Sequence, residues 1–257
     1  MSAGAAMTGL PINHSINRRT LLASTAAAVL VGLTPAHARF LSGEVPWAPG
    51  AATPPEPATP GGWLFFTPDE ARAVEAIVER LIPADELSPS GKDAGCAVFI
   101  DRQLAGPYGA AERLYMKPPF ATNAAPEFGP QSPLSPAQQY RAGLKALDAW
   151  CKANRSGKSF ADLPPTERDT VLTAMEKGEA KFEGFGARPL FNLVLQNTME
   201  GFFADPLYGG NRDMVGWKLI GFPGARYDYR DFIDHVTDPY PLPPVGLQGR
   251  AGWTPGR

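Results

Sequence analysis

The sequence predicts a mainly α fold: a single domain of about five helices with long irregular Pro/Gly-rich loops and extended terminal arms. Three observations carry that prediction. Apolar residues recur at intervals of three and four in several separate stretches, no run alternates convincingly with period two, and 27 glycines and 28 prolines are set largely around those stretches. At 257 residues and 44% hydrophobic content, with 14 Phe and 5 Trp, the chain has ample material for one packed core.

The first helix opens at Thr67-Pro68-Asp69-Glu70, a capping box with proline at the first helical position. Val74, Ile77, Val78, Leu81 and Ile82 follow at helical spacing, and Pro83 stops the run. A second helix is expected from about Lys92 to Leu104, burying Cys96, Phe99, Ile100 and Leu104. Ser135-Pro136-Ala137-Gln138 repeats the capping logic ahead of a stripe of Tyr140, Leu144, Leu147 and Cys151. Pro165-Thr166-Glu167 opens a fourth helix with Val171, Leu172 and Met175 on one face. In "RPLFNLVLQNTMEGFF" the apolar positions Leu190, Phe191, Leu193, Val194, Leu195 and Met199 surround most of the helix, which places it in the middle of the fold.

The ends have a different character. "NRRTLLASTAAAVLVGLTPAHA" carries the paired arginines Arg18 and Arg19, an apolar run of 13 residues from Leu21 to Leu33, and Ala36-His37-Ala38 at the cleavage position. This is the form of a twin-arginine export signal over residues 1–38, cleaved after Ala38. The alternative, a retained anchor, meets a run diluted by Ser24, Thr25 and Gly32 and short of the roughly 20 residues needed to span a bilayer. The expected location is therefore the periplasm. Residues 39–62 read as a Pro-rich arm, 63–236 as the helical domain and 237–257 as a Pro/Gly-rich tail. That tail carries Tyr240, Leu242, Val245 and Trp253, which either fold over their own domain or lie across a partner.

The formal charge of −2 becomes −4 once the two leader arginines are removed, and no Lys/Arg cluster is present, which argues against nucleic acid as a partner. Only His235 remains of three histidines after His14 and His37 leave with the signal. A metal site of ordinary ligand spacing and a histidine-based nucleophile triad are both poorly supported, and His235 in "DFIDHVTD" reads as solvated or paired with an acid. Cys96 and Cys151 make no haem, iron–sulfur or redox motif. In an oxidising compartment they are candidates for a disulfide between two helices, the alternative being two buried thiols acting as small apolar residues. "GFGARP" at residues 184–189 lacks a third glycine and follows a helix, so it reads as a turn rather than a nucleotide cradle.

One segment stands out: "FFADPLYGGNRDMVGWKLIGFPG", residues 202–224. Asp205-Pro206 and Gly209-Gly210-Asn211 are turn chemistry, with Phe202, Phe203, Tyr208, Trp217, Ile220 and Phe222 placed among the turns. Two readings stay open: a long loop stapled to its own core by aromatics, and a preformed recognition loop offering tyrosine and tryptophan to another protein.

The twin-arginine leader, "FFTPDEARAVEAIVERLIPAD" and above all "ADPLYGGNRDMVGWKLIGFPG" resemble subunit 3 of the gluconate 2-dehydrogenase type, the small subunit shared with fructose, sorbitol and glucose dehydrogenases. The resemblance runs from about Leu64 to Asp238. It implies a chain with no cofactor and no catalytic activity of its own, within an oxidoreductase acting on CH–OH groups. The implied partners are a large flavoprotein subunit of the glucose-methanol-choline type, which holds FAD, and a multi-haem cytochrome subunit, which holds haem c. It also implies membrane association through the complex alone and an escort role, in which this chain's signal carries the folded flavoprotein across the membrane. Asp205, Tyr208, Gly209, Gly210, Asn211 and Trp217 are the structural or interface candidates; the family pattern marks no catalytic, cofactor or metal residue to carry over. The rival classes are a stand-alone periplasmic hydrolase working with carboxylates and a free-standing binding or structural protein.

Overall fold

Thr67 starts the first helix as its sequence dictates. In the computed structural model, which describes residues 61–121, 123–129, 131–226, 229–235 and 237–247, the Thr67 hydroxyl accepts from the Glu70 N–H at 3.3 Å. The Glu70 carboxylate in turn accepts from the Thr67 N–H at 2.9 Å. Helix α1 (Pro68–Leu81) buries Ala71, Val74, Ala76, Ile77 and Val78. The export signal with Arg18, Arg19 and the Ala38 cleavage position, nearly all of the Pro-rich arm, and the end of the tail with Trp253 lie outside the described residues.

Helix α2 (Cys96–Ala105) begins later than its apolar pattern predicts. Residues 91–95 form a turn, because Gly95 takes a left-handed φ of 84° that cannot continue a right-handed helix. Helix α3 (Pro136–Asn154) has the expected capping box, with Ser135 N–H donating to Gln138 Oε1 at 2.9 Å. Helix α4 (Pro165–Glu176) buries Val171, Leu172 and Met175. Helix α5 (Ala187–Phe203) lies against α1, α2, α3 and α4 and against a sixth helix, α6 (Val215–Ile220). The central place expected for α5 follows from its apolar girth, with one correction: Met199 is exposed. Buried polar groups, Asn197 and Thr198, take the core-facing positions instead.

Helix α6 is the element that apolar periodicity misses. It is six residues long and arises inside the segment read as a loop. The domain is mainly α, with six helices among the described residues and a lone parallel bridge, Gly224 to Val245, where the sequence predicts about five helices.

Of the two readings of Cys96 and Cys151, the structure has the buried free thiols. Each is fully buried, but in different surroundings: Cys96 opens α2 near Arg212, and Cys151 ends α3 near Arg155 and Asp148. They fill the core as small apolar groups. Burial pushes both thiols up to about 12.

Polar ties fix the helices to one another and to the entering chain. Arg80 of α1 makes a two-pronged pair with Asp169 of α4 at 2.7 and 2.8 Å. Asp101, buried on α2, accepts three backbone N–H bonds from Leu64, Phe65 and Phe66 at 2.8 to 2.9 Å and pairs with Arg102. Arg141 of α3 stacks 4.0 Å over the Phe65 ring and pairs with Glu70. The chain therefore enters α1 along a path set by a buried carboxylate and a guanidinium.

Candidate functional site

The last carbonyls of any α-helix lack intrahelical donors, and in α5 the segment that follows supplies them. Trp217 Nε1 donates to the Phe203 carbonyl at 2.8 Å, and Asn211 Nδ2 donates to the Ala204 carbonyl at 2.8 Å. Asn211 Oδ1 then accepts from the Gly216 N–H at 2.8 Å, so one buried amide joins the end of α5 to the start of α6. The Arg212 N–H donates to the Ala94 carbonyl at 3.0 Å, fastening the same loop to the turn before α2.

The glycines allow the loop to lie directly on the helix end. A Cβ at Gly210 would stand 2.1 Å from the Gly201 carbonyl oxygen, and one at Gly216 would stand 2.1 Å from that of Phe202. Both opposing atoms are backbone, so neither can swing aside. Asn211, Asp213 and Met214 have φ of 45°, 55° and 57°, left-handed values that asparagine tolerates and methionine does not favour. Surrounding contacts hold this backbone in place.

Asp205 serves two segments. Its Oδ1 accepts from the Leu207 N–H at 2.9 Å within its own turn, and its Oδ2 accepts from the Leu247 N–H at 2.6 Å. The adjoining tail is laid along residues 223–226: Ala225 N–H donates to the Val245 carbonyl at 2.6 Å, and Val245 is buried. Arg226 reaches the Pro243 carbonyl at 2.6 Å and stacks 5.0 Å over the Tyr240 ring. As far as Leu247, then, the tail folds over its own domain.

The six sequence candidates thus occupy one loop in different settings. Asn211, Gly210 and Trp217 are buried, Asp205 and Gly209 are half-buried, and Tyr208 is exposed. The outer side of the loop presents Leu219, Ile220 at 59% exposure and Phe222 at 44%, with the Phe222 ring set edge-on to Trp217 at 5.2 Å. His235, weighed for catalysis, is exposed with Nδ1 2.9 Å from Asp238 Oδ2, as a surface pair.

Two further polar features escape a reading of the sequence. Asn197 of α5 accepts from the Tyr140 hydroxyl at 3.0 Å and donates to Glu200 at 2.9 Å, while Tyr108 lies 3.3 Å away. Burial raises both tyrosines above their ordinary value. Nothing in their local spacing marks them, since Tyr140 and Tyr108 meet Asn197 across 57 and 89 residues. A cleft of about 300 Å³ between α1, α3 and the turn at Phe160 is lined by charges that largely pair among themselves. Arg72 lies 3.3 Å from both Asp69 and Asp162, and Lys152 lies 2.8 Å from Asp148.

The 205–222 loop is thus packed on the end of α5 through its glycines and carries exposed apolar groups on its outer side. The family model for gluconate 2-dehydrogenase subunit 3 matches residues 68–224, from the first helix through this loop. The chain belongs to that family, and so to the subunits of a gluconate 2-dehydrogenase-like, membrane-associated complex. No curated protein and no solved structure matches it. Among the described residues no helix is long and apolar enough to cross a membrane.

Proposed function

We propose that this chain is the non-catalytic small subunit of a periplasmic flavin-dependent sugar or polyol dehydrogenase, gripping and stabilising the large flavoprotein subunit and escorting it through the twin-arginine route. FAD belongs to the large subunit and haem c to a multi-haem cytochrome subunit. The observation that carries the reading is the 205–222 loop, in which buried Asn211 and Trp217 fix a backbone that leaves Tyr208, Leu219, Ile220 and Phe222 outward. Preformed loops with outward aromatic and aliphatic groups lose little entropy on binding. The export signal explains the route, because flavin is loaded before transport and the cargo crosses folded.

The test is co-purification from the native host with a tag on this chain, read by absorption spectrum. Flavin and haem bands should accompany the wild-type chain and be lost from Tyr208→Asp/Ile220→Asp, two exposed positions, with an unchanged melting temperature as the check on the fold. A colourless single species from the wild type, or activity on a sugar or ester by the isolated chain, overturns the proposal.

A further inference from the structure

We infer that residues 243–247 of the tail form a clamp that holds the strained turn 211–214 in one conformation. The clamp thereby sets the shape of the proposed docking face, and the inference rests on reading the 205–222 loop as that face. The tail grips the loop at three places. At its beginning, the Leu247 N–H donates to Asp205 Oδ2 at 2.6 Å, while Oδ1 of the same carboxylate accepts from the Leu207 N–H at 2.9 Å. In its middle, buried Gly246 lies so close that a Cβ there would stand 3.5 Å from Met214 Cε and 3.3 Å from both Asp205 oxygens. Just past its end, the Val245 N–H donates to the Pro223 carbonyl at 3.2 Å and the Val245 carbonyl accepts from the Ala225 N–H at 2.6 Å.

What the tail grips is backbone that needs holding. Asp213 and Met214 follow one another at φ, ψ of 55°, 18° and 57°, 35°. Residues with a side chain enter the left-handed region as single positions, because Cβ crowds the following carbonyl oxygen, so two in succession persist only where their surroundings fix them. Within the loop, the Met214 N–H donates to the Asn211 carbonyl at 2.8 Å and the Gly216 N–H donates to Asn211 Oδ1 at 2.8 Å. Asp213 itself is exposed, and Met214 is half-buried. The tail adds packing on Met214 from outside the loop.

The consequence falls on the exposed groups. Asp213 and Met214 lead directly into α6, so their backbone angles fix the direction in which that helix presents Leu219 and Ile220. Relaxation of either residue to an ordinary negative φ would swing α6 away from its hydrogen bonds with Asn211 and with the Phe203 carbonyl. The family match ends at Gly224, so the clamp is made by a part of this chain that lies beyond it.

Leu247→Pro deletes the N–H that meets Asp205 and opens the clamp. Hydrogen exchange of the full chain should then speed up about tenfold at the Met214 and Gly216 amides, with the amides of α1 and α3 unchanged as the check on the core. Asp213→Gly in the same chain should bring most of that protection back, because glycine takes a positive φ without strain and the side chain removed is exposed. A tail that merely adds contact area gives no such rescue. Alone, Asp213→Gly should raise the melting temperature, a readout that does not depend on how well Leu247→Pro folds. Flavin recovered with the tagged chain should fall in Leu247→Pro and return with Asp213→Gly. Unchanged exchange at Met214 and Gly216 in Leu247→Pro overturns the inference. So does a speed-up that Asp213→Gly leaves in place, or a melting temperature that Asp213→Gly alone fails to raise. Exchange and melting are read on this chain by itself, so they judge the clamp separately from the co-purification that judges the proposed function.

Discussion

The Asn211 side-chain oxygen accepts the Gly216 backbone N–H at 2.8 Å, and through its amide nitrogen the same residue holds the Ala204 carbonyl at 2.8 Å. One fully buried side chain thus closes the C-terminus of α5 and opens α6. Asn211→Ala would leave a buried donor and a buried acceptor without partners, each costing about 1–3 kcal/mol. The denaturant midpoint should fall accordingly, by roughly 3 kcal/mol in total, and hydrogen exchange should speed up across residues 204–217. An unchanged midpoint would remove Asn211 from this role.

Gly210→Ala tests the packing of the loop on the helix. The added methyl group meets the Gly201 carbonyl at 2.1 Å, and overpacking against immobile backbone costs about 1–3 kcal/mol. Gly62→Ala, where nothing lies within 4 Å, is the matched control and should leave the melting temperature nearly unchanged.

Asp101→Ala removes the acceptor for three backbone N–H groups and one of the partners of Arg102, a loss of about 3–5 kcal/mol for a broken buried pair. The entering segment should come free first. Limited proteolysis read by mass spectrometry should show new cleavage near residues 62–66 before any cut within α5.

The thiols give a prediction at alkaline pH. Unfolded cysteines ionise near 9, while burial holds Cys96 and Cys151 near 12, so the folded state keeps protons that the unfolded state releases. Their contribution is fully present below pH 9 and is lost as the pH rises toward 12. Tyr140, fully buried and raised well above 10, acts in the same direction. Stability measured between pH 8 and 11 should decline less steeply in Cys151→Ala than in the wild type, and a disulfide reagent at pH 8 should find two reactive thiols only after denaturation.

The proposed escort role predicts that changing Arg18 and Arg19 together to lysine holds this chain and the flavoprotein it is proposed to carry in the cytoplasm, read by fractionation and by periplasmic dehydrogenase activity. Normal periplasmic activity in that variant would defeat the escort role.

The helices that were legible in the sequence are those whose signals are local. Thr67 with Glu70 and Ser135 with Gln138 mark helix starts within four residues, and the stripes behind them need only one period to be read. The start of α2 was not legible, because Gly95 turns the chain inside a run that keeps helical spacing. Helix α6 was hidden for a related reason: six residues give too little periodicity, and the glycines and left-handed positions before it imitate a loop. The 205–222 loop was visible as unusual composition. Which of its residues face inward was not, since Asn211 and Trp217 are placed by carbonyls of α5 that only the fold brings to them.

The Asp205 carboxylate, with one oxygen on Leu207 and the other on Leu247, also sets where the polypeptide can be shortened. A recombinant version ending at the limit of the family match would discard the strand-like contact on Gly224 and leave half of that carboxylate facing an empty groove beside the loop. Expression boundaries for structural work therefore belong beyond Leu247, and a purification handle is better placed on a flexible spacer after it.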